Sequence, residues 1–140
     1  MQAELSITRL QSEFARLCKR IDPSLARIRF RTTPGHDGST HVEISSREYH
    51  YIATERGQEL FHKRTKRKDE LLYWLVSDVA WSLACDYELK KRVKGQSFRR
   101  LLFAKELEYL ERVKPEWAKA KREEIEVILR EHPYDDESEG

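Results

Sequence analysis

His41, Glu43 and His50 are the side chains whose types and spacing best suit chemistry. His41-Val42-Glu43 has the His-x-Glu pattern in which zinc deaminases place a metal ligand beside a general acid-base, but the Pro-Cys-x-x-Cys half of that signature is missing. The same three residues could hold a metal if paired strands brought them together. The plainer reading, a polar and solvated sheet face, is preferred, so no metal is assigned. No glycine-rich phosphate loop, GxSxG, HExxH or motif-spaced Cys-His pair occurs. No catalytic residue and no cofactor is expected, and the chain is not expected to be an enzyme.

The elements around these residues follow from periodicity. Ile7, Leu10, Phe14, Leu17 and Ile21 recur at helical spacing and predict an amphipathic helix over 6–21, ending near Asp22-Pro23. From Ala26 the period changes to two: Ile28, Phe30 and Thr32 alternate with Arg27, Arg29 and Arg31, predicting a strand with one basic face. After a turn-rich PGHDGS loop, two hairpins follow, with turns at Ser46-Arg47 and Arg56-Gly57. Two-residue loops would set Ile44 opposite Tyr49, Val42 opposite Tyr51 and Ala53 opposite Leu60 on the core side. His41, Glu43, His50, Ile52, Phe61 and Lys63 would then share the other side. His41, Glu43, His50, Ile52 and Phe61 mix apolar and polar groups in a way that suits a partner-binding surface. The competing reading lays the N-terminal helix across that face. The basic run His62–Lys68 is expected to link sheet to helices.

Asp69–Leu89 is apolar on two sides. Leu72, Leu75, Val76, Val79 and Leu83 fall on one, and Trp74, Trp81 and Cys85 on the other with Asp78 among them. Such a helix is expected to be central, hidden on both faces. An unpaired carboxylate among tryptophans is costly, so Asp78 is expected to pair with Arg99 or Arg100, a structural link also involving Trp74 and Trp81. A second reading leaves a partly open Trp-Asp-Trp patch for another protein. Ser97 is placed to cap a helix from Phe98 to Val113, and Pro115 to open a last helix ending at His132-Pro133. The acidic residues 135–140 are expected to form a disordered tail. The fold class is α+β: an N-terminal helix, an antiparallel sheet of three to four strands, then three C-terminal helices packed around the two-faced one.

The 140 residues suit one domain, 1–134, followed by the tail. Basic and acidic side chains nearly balance, 27 against 25, which disfavours a dedicated nucleic-acid binder. Arg27, Arg29, Arg31 and the HKRTKRK run nevertheless keep a small nucleic-acid-associated regulator as the alternative function. Cys18 and Cys85 match no metal or redox spacing and read as buried thiols in a reducing compartment. With no signal-peptide pattern at the start and no apolar run long enough for a bilayer, a cytoplasmic protein without membrane contact is expected.

The segments EYHYIATERGQE (Glu48–Glu59), DELLYWLVSDVAWSLACDYEL (Asp69–Leu89), FRRLLFAKELEYL (Phe98–Leu110), PEWAKAKREEIEVIL (Pro115–Leu129) and EHPYDD (Glu131–Asp136) together resemble the Immunity protein 63 family. These are bacterial immunity proteins of polymorphic toxin systems. The resemblance covers about the last two thirds of the chain, and residues 1–45 match by layout only. Where relatives carry acidic residues after the hairpin, this chain has KRTKRK. The resemblance implies a cytosolic protein that neutralises a cognate toxin domain by tight stoichiometric binding without catalysis. If that toxin is a nuclease, Asp86, Glu88, Asp135 and Asp136 are the acidic groups its basic cleft would meet.

Overall fold

Ser6 opens the first helix, α1 (Ile7–Lys19), its hydroxyl accepting from the Arg9 N–H at 3.4 Å. The computed structural model describes residues 6–140, which fall into two compact units, the first ending at Leu75 and the second running from Val76 to Gly140. The element order is α1, a 3-10 turn (Pro23–Leu25), β1 (Asp37–Ser45), β2 (Glu48–Glu55), β3 (Gln58–Thr65), α2 (Lys68–Lys90), α3 (Phe98–Val113), α4 (Pro115–Glu131) and α5 (Asp136–Glu139). This is an α+β chain: an N-terminal helix, a three-stranded antiparallel sheet in the order β1-β2-β3, and then helices.

In the N-terminal unit α1 buries Leu10, Phe14, Leu17 and Cys18 along one stripe. Burial pushes the Cys18 thiol up to about 12, so it stays protonated and behaves as a small apolar side chain. The expected strand over 26–32 is absent. Gln11 occupies the place a ladder neighbour would take: its Nε2 donates to the Phe30 carbonyl at 2.9 Å and its Oε1 accepts from the Phe30 N–H at 3.0 Å. The Phe14 and Phe30 rings meet edge to face at 5.5 Å. One backbone bond, from the Val42 N–H to the Arg31 carbonyl at 2.9 Å, ties this extended segment to β1.

Both hairpin turns have two residues. Ser46 and Arg47 lie at φ 52° and 62°, Arg56 and Gly57 at 53° and 82°, the mirror-image turn whose twist matches the flanking strands. Ile44 faces Tyr49 and Val42 faces Tyr51, as the two-residue loops require. The second hairpin departs from expectation. Ala53 lies opposite Phe61, not Leu60, because the register shifts between Ala53 and Thr54. Thr54 pairs with Glu59, so Leu60 is the extra residue of a bulge and is 57% exposed. One inserted residue moves every later β3 side chain to the opposite face. Phe61 and Lys63 therefore stand on the side of Tyr51. The run His62–Lys68 joins sheet to helix as expected, but His62–Thr65 belong to β3 and Lys68 to α2, leaving only Lys66 and Arg67 between them.

The apolar circumference of α2 narrows along its length. Leu71, Leu72, Leu75 and Val76 are buried in its first half, but only the small Ala80 and Ala84 are the buried apolar residues of its second half. Trp81 is 42% exposed, and Asp78 and Leu89 are exposed too, so the side expected to be hidden with Trp74 is open from Asp78 onward. Within the C-terminal unit α3 and α4 are joined by the single extended residue Lys114. Leu102, Phe103, Leu110 and Val113 of α3 and Trp117, Ala118 and Ile125 of α4 are buried. The acidic end is ordered in the structure, against expectation: residues 136–139 form α5, and Arg99 and Arg100 hold its carboxylates. Among the described residues no helix is long and apolar enough to cross a membrane.

Candidate interaction surfaces

Strand pairing brings His41, Glu43, His50 and Ile52 to one face of the sheet, with His62 beside Ile52. Phe61, expected with them, is on the opposite face and close to Tyr51, ring centroids 5.9 Å apart. Nor is the shared face open. His41 and Ile52 are each 2% exposed and His50 is buried, whereas Glu43 points outward. The five residues do not form one accessible patch.

Hydrogen bonding instead settles these histidines against each other. Glu59 Oε1 lies 3.3 Å from His62 Nδ1, His62 Nε2 lies 2.8 Å from His50 Nδ1, and His50 Nε2 lies 2.9 Å from the Ser45 hydroxyl. A consistent tautomer set follows: His62 donates to Glu59, His50 donates to His62, and Ser45 donates to His50. Four side chains are thereby linked in one hydrogen-bonded row. His41 pairs through Nε2 with Glu43 at 2.7 Å, and its buried Nδ1 is without a partner among the described residues. No group of three or more His, Cys, Asp or Glu among the described residues could hold a metal ion.

The expected link between Asp78 and the arginines is not what the guanidiniums make. Arg99 donates to the carbonyls of His132 and Pro133, each at 2.8 Å, and pairs with Glu139 at 3.0 Å. Arg100 holds Asp136 in a fork, 3.0 and 3.2 Å, and lies over the Tyr134 ring at 4.1 Å. The first turn of α3 takes the same carboxylates. The Ser97 N–H donates to Asp136 at 2.6 Å and its hydroxyl to Glu139. Anionic groups suit a helix N-terminus. The Arg100 bond holds the Asp136 carboxyl below its ordinary range, and the Ser97 bond does the same for Glu139. Trp74 has a separate role: it stacks on Tyr51 at 5.7 Å, with the Lys63 ammonium over its ring at 5.1 Å. Trp74, Asp78, Trp81, Arg99 and Arg100 are thus not one cluster.

The N-terminal unit also carries an open groove of about 610 Å³ between α1 and residues 26–29. Thr8, Gln11, Ala15 and Lys19 line it from the helix, and Arg27, Ile28 and Arg29 from the turn and extended backbone that follow Leu25.

The family model for Immunity protein 63 matches residues 45–127, more than half of the chain. The chain belongs to the Immunity protein 63 family. Comparisons with curated proteins and with solved structures gave no match. Family membership makes this an immunity protein, with a protein toxin as its partner in general terms. The matched stretch takes in β2, β3, α2, α3 and most of α4, and leaves α1, the basic segment and nearly all of β1 outside. The sheet histidines His50 and His62 lie inside it and the groove lies outside.

Sequence reasoning missed Arg16 and Lys19 as partners of Arg27 and Arg29, because helix and extended segment were considered separately. Their i, i+3 spacing on the polar side of an amphipathic helix was the available signal. It also missed Gln11, whose position beside the Leu10 stripe hinted at a buried amide with a backbone task.

Proposed function

We propose that this protein neutralises one cognate bacterial toxin by forming a tight, stoichiometric complex in the cytosol, with no chemistry of its own. The match of residues 45–127 to the Immunity protein 63 family carries this reading. Two features of the molecule support it. Its sheet histidines His41, His50 and His62 are engaged with neighbouring carboxylates, a serine and each other. Apolar groups also stand exposed at helical spacing on α2, Trp81 at 42% and Leu89 at 67%, and exposed tryptophan is a favoured anchor in protein interfaces.

Co-expression is the direct test. The toxin domain encoded by the neighbouring reading frame should arrest bacterial growth alone, and growth should return when this chain is expressed with it. The purified pair should elute as a one-to-one complex. Growth arrest that persists, with no complex between the purified proteins, would overturn the reading. So would turnover of a substrate by this chain alone.

A further inference from the structure

Residues 6–31 hold seven basic side chains and two acidic ones. Both acids are engaged: Glu13 pairs with Lys68 at 3.1 Å, and Asp22 accepts from the Ser24 N–H at 2.8 Å. Four of the cations, Arg16, Lys19, Arg27 and Arg29, line the groove between α1 and the extended segment, and no carboxylate lines it. Among the described residues none of the four is paired with an acid. Such a surface repels cations and favours an anionic partner along its whole length. The walls are held in place, since Gln11 bonds both backbone groups of Phe30 and the Phe14 ring packs on the Phe30 ring. A pre-shaped groove binds without the cost of ordering its own backbone.

We propose that this groove seats an acidic segment of the partner protein, its carboxylates opposite Arg16, Lys19, Arg27 and Arg29 and an aliphatic side chain against Ala15 and Ile28. The inference rests on the toxin-binding reading and deepens it by naming the chemistry of the contact. The shape of the charge favours a peptide over other anions. Arg16 and Lys19 are one helical turn apart on the α1 wall, and Arg27 and Arg29 stand on the other wall. The cations are therefore divided between two walls of an open groove, a layout suited to a chain that carries several carboxylates. Single-stranded nucleic acid binds by stacking bases on aromatic side chains as well as by charge, and no aromatic residue lines the groove. Because the groove lies outside residues 45–127, the family assignment itself says nothing about it.

The test uses the full chain and the neighbouring gene's toxin domain, inactivated so that it can be purified alone. Binding is followed by surface plasmon resonance at low and high salt. Arg27→Glu with Arg29→Glu should weaken binding about a hundredfold at low salt, mainly through slower association, and the gap should shrink as salt rises. Lys119→Glu with Arg122→Glu on α4, the same change of charge, should move it less than about threefold. The Gln double variant at 27 and 29 should lie between, about tenfold weaker, and it keeps the test sound if the Glu variant fails to fold. Equal losses from both charge reversals, or none from the groove, overturn the groove while leaving toxin binding intact. Loss on Trp81→Ala with no loss from the groove variants does the same. Failure of the unmodified protein to bind the toxin domain overturns the functional reading and this one with it. If the groove variants lose affinity only for a 20-nucleotide single strand, the groove is a nucleic-acid site and the proposal falls.

Discussion

In the C-terminal unit Arg99 and Arg100 commit their donors to Asp136, Glu139 and two backbone carbonyls. In the N-terminal unit Arg27 and Arg29 face an open groove with no carboxylate among its lining residues. The overall balance differs in the same direction. Residues 1–75 carry 14 basic and 10 acidic side chains, residues 76–140 carry 13 and 15. The near-zero net charge of the whole chain conceals this division. Where cations meet acids of the same unit they fasten a helix end. Where they do not, their field reaches solvent and is available to a partner.

The comparison breaks most readily at Gln11. If its amide shapes the basic segment, Gln11→Ala should leave the buried N–H and carbonyl of Phe30 without partners and destabilise the N-terminal unit by about 4 kcal/mol. Urea denaturation followed by Trp74 fluorescence, with Trp81 and Trp117 replaced by Phe in both proteins, reads this. Toxin binding should weaken as well, since the groove loses one wall. An unchanged midpoint would mean that water replaces the amide, and the groove would not then be a fixed surface.

Glu106 probes the other unit, where charges are paired. It is 3% exposed, and burial pushes its carboxyl up to about 7, with the Lys121 ammonium at 3.8 Å pulling only partly the other way. The folded chain therefore keeps a proton that the unfolded chain has released between the ordinary value of 4.5 and about 7. Stability from this group is fully present below the unfolded value and is lost as pH rises through the folded one. The loss amounts to about 3 kcal/mol for such a shift. Glu106→Gln should remove that slope, so that it is more stable than the unmodified chain at pH 8 and differs little at pH 5. Parallel profiles for the two proteins would show that Lys121 fully compensates the buried charge.

Local pattern made most elements legible. The stripe of α1, both two-residue turns, the Ser97 cap and Pro115 at the start of α4 all follow from side chains a few residues apart. The departures arise where one residue acts at long range. Gln11 meets Phe30 across 19 positions and converts an expected strand into a stapled extended segment. Leu60 forms a bulge that alternation alone cannot reveal, and this moved Phe61 away from the histidine face. The candidate surface suffered most for the same reason. His41 and Ile52 alternate like outward residues, yet burial depends on what the rest of the chain lays over them, and periodicity carries no record of that. A tail of acidic residues reads as disordered until the arginines 36 and 40 positions earlier are placed beside it.

The tail supplies the gentlest and most discriminating change. Removing residues 135–140 should free Arg100 from Asp136, leave Arg99 with only the His132 and Pro133 carbonyls, and uncover the first-turn amides of α3, giving the C-terminal unit unneutralised cations of its own. The Arg100–Asp136 pair is exposed and contributes little to stability, so the unfolding midpoint should fall only slightly, through the half-buried Arg99–Glu139 pair, whereas hydrogen exchange at Ser97–Arg99 should accelerate. Acid should release the same contacts without truncation. Because Arg100 and Ser97 hold the two carboxyls below their ordinary values of 3.8 and 4.5, the clamp should persist above those values and open only as pH falls through the lowered ones. If the truncated chain binds the toxin as before, the groove's charges act through their position. If it binds more tightly in low salt, any exposed cation attracts the partner, and the distinction between the two units reduces to a difference in net charge.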